Sequence, residues 1–376
     1  MTGTRSEDGA RSLDHLYLAA PGSGTPASAG EAGWIRALPA EVALVREEGW
    51  RPAAPLTSIH VGGPGGRAPG PSGLNQLLEA MEVGLDARGE LALEVDPSQV
   101  TPSLLVGWRA AGVTRINLRW MPGRELEEAA LALARVGWGR EGDVESWGVD
   151  LAFGLEGGRA SHLSERIRGL VASAGPHQVT LEEAAGPGVD DEWLADEYLG
   201  LVHTLDGLGY KAWEVTSFAL PGHRPVHALA IWSGESYLGL GAGAHSFDQS
   251  TRRWNLDDPG AYMTRVGQGR SPLAGSERLA PEAKRLEFVW RGLRLASGIP
   301  LELLSSRGRA LKAGWSAQGL AHEDGDRLRL TPSGWLLLDT LAVALTHALE
   351  VDGWSYPDRP SNSHEEQTEG ETPGAS

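Results

Sequence analysis

An incomplete parallel α/β barrel, followed by a small helical module, is the fold class this sequence predicts. Three observations predict it. Short β-branched or aromatic runs alternate with longer stretches of helical period. The alternation repeats roughly six times, which reads as a parallel sheet with crossover helices. After Gly222 it stops, and Gly-dense and then helical sequence takes over. A doubly wound sheet is the alternative reading of the same alternation.

The strand runs are LYLAA (16–20), LTSIHV (56–61), LALEV (91–95), RINLRW (115–120), WGVDLAFG (147–154), HQVTL (177–181) and AWEVTSFA (212–219). Apolar residues recur at helical spacing over 33–46, 74–85, 102–111, 125–136, 161–174 and 190–208. The stretch YLGLGAGAHSF (237–247) needs tight turns and close backbone packing. From Pro281 helices dominate. The order helix, hairpin turning at Asp324–Asp326, helix resembles a winged-helix module. The expected division is a barrel over 14–265 and a module over 266–354. Polar tails rich in Pro, Gly and Ser, 1–13 and 355–376, are expected to be disordered. Function belongs on the loops that follow the strands.

Composition narrows the function. Acidic residues outnumber basic ones 50 to 33, for a formal charge of −17, so phosphate backbones are repelled and no nucleic-acid partner is expected. The winged-helix-like module is accordingly read as a protein contact or a structural cap. There is no cysteine, which removes disulfides, thiolate nucleophiles and Cys-ligated zinc. The N-terminus has no apolar core of a signal peptide, and no run of about 18 apolar residues occurs, so a cytoplasmic protein without a transmembrane segment is expected. The 14 tryptophans suit core positions or pocket walls.

The segment WEVTSFALPGHRPVHALAIW (213–232) followed by YLGLGAGAHSF resembles the coproporphyrinogen III oxidase-like radical-SAM proteins, most closely their HemW-type haem-chaperone branch. In that family the segment reads Y-E-[IV]-S-N-F-A-x-P-G, then H-N-x-x-Y-W, then Y-x-G-x-G-x-G-A-x-S. Glu214, Ser217, Phe218, Pro221, Gly222, His227, Trp232, Gly239, Gly241 and Ser246 fall in register. Asn255 and Tyr262 match the segment that follows. The likeness runs from about Leu16 to Leu349 and implies a partial (β/α)6 barrel of radical-SAM type.

The motifs for cofactors depart from the family. Its first loop carries C-x3-C-x2-C, three thiolates on a [4Fe–4S] cluster whose fourth iron binds S-adenosylmethionine. Here those positions are Ser23, Ala27 and Gly30, which cannot hold a cluster. The G-G-G-T-P turn is Gly62-Gly63-Pro64-Gly65-Gly66, where Pro removes a backbone donor. The G-x-Q-S-F signature is Arg119-Trp120-Met121-Pro122-Gly123. Gly62, Gly63 and Glu94 are what the resemblance leaves of the S-adenosylmethionine site. Both the cluster and S-adenosylmethionine are expected to be absent.

For haem, the resemblance makes His227 the first candidate axial ligand, with Trp232 and Trp213 as flat contact area and His245 as the second candidate. The bland alternative for His227 is a buried imidazole bonded to the backbone. His223 and His227 have the spacing of a helical metal pair, but Pro221 and Pro225 oppose a helix there. Glu94 and Asp150, at strand ends, are pocket carboxylates or structural hydrogen bonders. Three functions follow: a HemW-like haem-binding chaperone or carrier without its cluster, serving a protein acceptor; a haem-independent pseudoenzyme acting as a scaffolding partner; or an active radical-SAM oxidase, which the missing cysteines disfavour. Anaerobic reconstitution with iron and sulfide is expected to leave no bound iron. Incorporation of about four of each per chain would contradict the reading.

Overall fold

The computed structural model describes residues 11–21, 30–63, 67–119, 126–139, 145–155 and 160–351. Ser23, Ala27, the 64–66 part of the Gly-rich turn, 120–125 and the C-terminal tail from 352 lie outside them. The first half alternates strand and helix: β1 (Arg11–Leu13), β2 (His15–Ala19), α1 (Glu31–Glu47), β3 (Trp50–Pro52), β4 (Leu56–Gly62), α2 (Pro71–Met81), β5 (Leu85–Val95), α3 (Pro102–Ala110), β6 (Arg115–Arg119), α4 (Leu126–Val136), β7 (Ser146–Phe153), α5 (Ala160–Ala174), β8 (Gln178–Glu183) and α6 (Asp191–Gly207). Arg11–Leu13, at the end of the stretch read as a polar tail, form a strand parallel to β3 because Leu13 is buried.

The strands β2, β4, β5, β6, β7 and β8 are parallel neighbours in that order. Their period-two pattern divides the residues between two environments. Leu16, Leu18, Ile59, Val61, Ile116 and Leu118 point outward and are buried with the helices in one continuous core. The alternate positions point into the lumen and are mostly polar. Thr101 and Asp190 cap α3 and α6 through their side chains, as helix starts require.

The run 212–219 is not one strand. It splits into β9 (Lys211–Glu214) and β10 (Ser217–Ala219), which are antiparallel. The Thr216 N–H and hydroxyl both donate to Glu214 Oε1, at 3.1 and 2.7 Å, and close the turn. A side chain bonding to its own turn is invisible to hydrophobic periodicity. Helix α7 (Val226–Ser233) then starts directly after Pro225, which is its N-cap. Strands β11 (Tyr237–Leu240), β12 (His245–Phe247) and β13 (Thr251–Asn255) follow, then α8 (Pro259–Gly267) and β14 (Leu273–Arg278). β11 is parallel to β2, and β12 to β14 continue antiparallel. The described sheet has β9 and β14 at its edges and does not close. It also runs past residue 265, through β14.

A second core belongs to α9 (Pro281–Arg294), β15 (Ile299–Pro300), α10 (Ser306–Ala317), β16 (Ala321–Asp324), β17 (Arg327–Leu330), α11 (Pro332–Trp335) and α12 (Leu338–Val351). Val289, Leu293, Leu328, Trp335 and Leu345 are buried there. Gly325, at φ +58°, turns the β16–β17 hairpin.

The Gly-dense stretch is tied to α1 by Glu41, which is fully buried. Its carboxylate accepts from Gly241 N at 2.8 Å, Tyr262 Oη at 2.6 Å and Asn255 Nδ2. Burial pushes the Glu41 carboxyl up to about 7, while these donors and Arg253 oppose the rise. Gly241 has φ +106°, and a Cβ there would lie 2.7 Å from the Ala19 carbonyl oxygen. Gly241→Ala is therefore expected to cost about 2–3 kcal/mol, through both the left-handed backbone and the clash. Thermal denaturation checks it; an unchanged Tm would contradict the close approach.

Candidate functional site

The lumen positions of adjacent strands pair in layers. His15 lies opposite Ser58, Tyr17 opposite His60, Ala19 opposite Gly62, and Arg119 opposite Asp150. At the floor, beneath the N-terminal ends of the strands, α7 plugs the barrel. Glu90 Oε2 accepts from Val226 N and Oε1 from His227 N, both at 3.1 Å. A carboxylate suits a helix N-terminus because the first N–H groups have no partner within the helix. Arg115 Nε donates to the same carboxylate at 2.7 Å and its NH2 to the His223 carbonyl at 2.9 Å.

Anchored this way, α7 carries His227 into the floor, where it is 3% exposed. Its Nδ1 is 2.8 Å from Ser58 Oγ, and the same Oγ is 2.8 Å from His15 Nδ1. His15 Nε2 is 3.0 Å from Glu235 Oε2. The His227 ring stacks on His60, with centroids 5.1 Å apart, and on Tyr17 at 6.4 Å. His227 Nε2 is buried and has no hydrogen-bond partner among the described residues. Burial, with the neighbouring His60 and His15, holds the His227 pKa well below the ordinary imidazole value, so the ring is neutral.

At the mouth, His60 Nε2 donates to Glu94 Oε1 and Gly63 N to Glu94 Oε2, each at 3.1 Å. Arg119 lies 3.5 Å from Glu94 and 3.3 Å from Glu182. Burial alone would raise the Glu94 carboxyl, but the hydrogen bond and charge of His60, then Arg119 and Gly63, hold it below the usual range. A Cβ on Gly62 would sit 2.5 Å from the Glu94 carboxyl carbon, so Gly62 is what lets that carboxylate lie against β4. Asp150 fares differently: burial, then Glu94 and Glu182, push it up to about 7.

The structure brings Gly62, Gly63 and Glu94 together at one end of the lumen and His227 at the other. It does not bring Trp232 to His227. Trp232 faces away on α7, where it meets Trp290 at 5.7 Å and the Arg294 guanidinium at 4.0 Å, near Trp213. His245 is exposed and stacks on Trp254. His223 lies before α7 and stacks on His177 at 4.2 Å, so the spacing 223–227 does not form a helical pair. Gly30 is the N-cap of α1. Sequence reasoning missed His15, Ser58, His60, Glu90 and Glu235. The available signal was polar residues at every second position of otherwise apolar strands, such as Ser58 and His60 within LTSIHV.

This is a radical-SAM-type partial barrel with a polar lumen and no thiol to hold a cluster. The described chain superposes on a solved structure presented as "Coproporphyrinogen III oxidase (HemN) from Escherichia coli is a Radical SAM enzyme", with a TM-score of 0.71 and 17% identity over 90% of each chain. No established family profile matches. Among curated proteins, the chain is 29% identical to "Heme chaperone HemW" of Mycobacterium tuberculosis (strain ATCC 25618 / H37Rv), over 83% of this chain and 86% of the relative. It is 25% identical to "Heme chaperone HemW" of Synechocystis sp. (strain ATCC 27184 / PCC 6803 / Kazusa), over 74% and 73%. It is also 27% identical to a bovine "Radical S-adenosyl methionine domain-containing protein 1, mitochondrial", over 80% and 77%. The chain is thus similar along most of its length to HemW-type proteins and shares the fold of the coproporphyrinogen III oxidase-like radical-SAM proteins, and its sequence has no cysteine.

Asp150 gives the mouth a pH signature. Its folded pKa, about 7, lies above the unfolded value, so the folded state holds the proton more tightly. The stability it contributes is fully present below pH ~4 and is lost as pH rises through about 7. Asp150→Asn is therefore expected to match the parent protein at low pH. At pH 8 it should exceed it by about 1–2 kcal/mol, a figure reduced for the partial exposure of the side chain. Urea unfolding at several pH values checks this; a difference that does not change with pH contradicts it.

Proposed function

We propose that this chain is a HemW-like haem-binding protein of the cytoplasm that works without an iron–sulfur cluster, holding haem or a porphyrin as cargo for a protein acceptor. Support comes first from the two curated relatives whose names state that role and whose likeness spans most of both chains. The observation that carries it is His227 Nε2, a neutral, buried and unpartnered imidazole nitrogen on the segment that matches the family. Such a nitrogen is a suitable axial ligand for haem iron. Because Nε2 is fully buried, cargo reaches it only when the groups around it rearrange. Trp232, turned away from His227, offers flat area on the opposite face of α7, with Trp290 beside it.

The residues do not fit the family's cluster, since Gly30 has no ligand atom and the sequence has no thiol. They do not favour S-adenosylmethionine either. The remnant carboxylate Glu94 is already engaged by His60, Gly63 and Arg119, and Arg119 supplies the positive charge inside the mouth. That internal neutralisation is the observation favouring the second reading, a pseudoenzyme that binds a protein partner and no haem.

Haem titration followed at the Soret band separates the two. Saturable binding at about one haem per chain is expected, with His227→Ala losing or shifting the band at unchanged far-UV circular dichroism. His245→Ala should leave it intact. A band that survives in His227→Ala but not in His245→Ala moves the site to His245. No saturable binding in the unaltered protein ends the haem reading in favour of the second.

A further inference from the structure

A cavity of about 230 Å³ lies where the C-terminal module meets the barrel, between α7, the strands β11 to β13 and α9. Its walls are aromatic: Trp232 from α7, Tyr237 from β11, Phe247 from β12 and Trp290 from α9. The Trp232 and Trp290 rings are 5.7 Å apart and inclined at 50°, and those of Tyr237 and Phe247 are 6.5 Å apart at 47°. Neither pair stacks flat, and all but Phe247 keep surface open to solvent.

Three cations stand at these walls, and two of them are answered. Arg252 Nη2 donates to both oxygens of Glu287, at 3.0 and 3.1 Å. The Arg294 guanidinium lies over both indoles, 4.0 Å from the Trp232 ring and 5.3 Å from that of Trp290, and pairs with Glu214 at 2.7 Å. Arg291 is different. It lies 6.0 Å over the Phe247 ring, and among the described residues its guanidinium has no ion pair and no hydrogen-bond acceptor. Glu287 precedes it by one helical turn, the usual place for a partner, but that carboxylate is taken by Arg252. The guanidinium rests beside the end of α7, where a Cβ on Gly234 would be 2.8 Å from its central carbon. A half-buried charge without a partner costs free energy, and an anion that answers it recovers that cost.

We infer that this cavity binds a small aromatic carboxylate, with the carboxylate on Arg291 and the ring against Trp232 and Trp290. The guanidinium fork matches a carboxylate through two parallel hydrogen bonds, and flat rings gain from aromatic walls beyond the area they bury. A cationic ligand would meet Arg294 on the same indoles. A dianion such as a phosphate monoester would leave one charge unmatched, beside the Glu287 carboxylate. The volume lies below the ~300 Å³ at which pockets for drug-sized ligands begin, which limits the occupant to about one or two fused rings. A whole tetrapyrrole is too large for it, so the inference goes beyond the haem reading and stands or falls without it.

The test is isothermal titration calorimetry of the full chain, free of haem, with 2-naphthoate at pH 7.5. One saturable site is expected, with a Kd on the order of 0.1 mM, ordinary for so small a ligand. 2-Naphthamide has the ring without the charge, and inorganic phosphate has charge without a ring. Each should bind roughly ten-fold more weakly or not at all. Arg291→Gln should lose about ten-fold in naphthoate affinity at unchanged far-UV circular dichroism, and Arg291→Lys should recover part of the loss. In the chain labelled with 15N-tryptophan, naphthoate should move the indole signals of Trp232 and Trp290, assigned by Trp232→Phe and Trp290→Phe. Those of Trp34 and Trp108, in the barrel core, should stay in place. Absence of saturable binding at millimolar naphthoate overturns the inference. So does equal affinity for naphthamide or phosphate, unchanged affinity in Arg291→Gln, or indole shifts that spare Trp232 and Trp290. If Arg291→Gln does not fold, the naphthoate–naphthamide contrast and the indole shifts decide. Neither result bears on haem titration at the Soret band.

Discussion

One buried carboxylate holds this molecule's interior together. Glu90, at 6% exposure, accepts from the first two N–H groups of α7 and from Arg115. A charge in that position is costly unless every lone pair is answered. The groups that answer this β5 carboxylate come from two distant parts of the chain: the neighbouring strand β6 and the helix after β10. Because α7 is seated by its N-terminus, the side chain of its second residue, His227, is delivered to the floor of the lumen. Trp232, five residues on, is turned to the outside. The helix that might have joined an imidazole to aromatic walls separates them instead.

The lumen and the shell follow opposite rules on the same strands. Outward positions are Leu, Ile and Val, packed under the helices in one core. Inward positions carry His, Ser, Glu, Arg, Asp and Tyr. A closed apolar barrel is filled by branched side chains; this one is filled by hydrogen bonds. At the mouth, Arg119 lies between Glu94 and Glu182 and near Asp150, so three carboxylates share one internal cation. Burial, then the excess of negative charge, pushes Asp150 upward, while Glu94, bonded to His60 and Gly63, is held down.

These arrangements show how the scaffold is held together by ties that do not involve the first loop. Glu41 ties the Gly-dense stretch to α1, and Glu214 closes the β9–β10 turn and pairs with Arg294 of the C-terminal module. Both carboxylates are nearly inaccessible and do structural work far from the first loop. The loss of thiolates at Ser23, Ala27 and Gly30 therefore leaves the sheet, its long-range ties and the α7 plug untouched.

Much of the fold was legible in one dimension. The alternation of apolar runs and helical periods marks the six parallel strands, because side-chain burial on a strand or helix is a local, periodic property. The absence of thiolate ligands for a cluster was equally legible, since coordination needs atoms that Ala and Gly do not have. The turn at Glu214–Thr216 was not, because a side chain capping its own backbone leaves no trace in hydropathy. Nor was the lumen cluster. His15, Ser58, His227 and Glu235 are separated by up to 220 residues, and only strand register and the seating of α7 place them within hydrogen-bond distance. Residue types and periods are written along the chain. Which lone pair meets which proton is decided only when the strands are laid side by side, because hydrogen bonds act over about 3 Å and have no periodic signature.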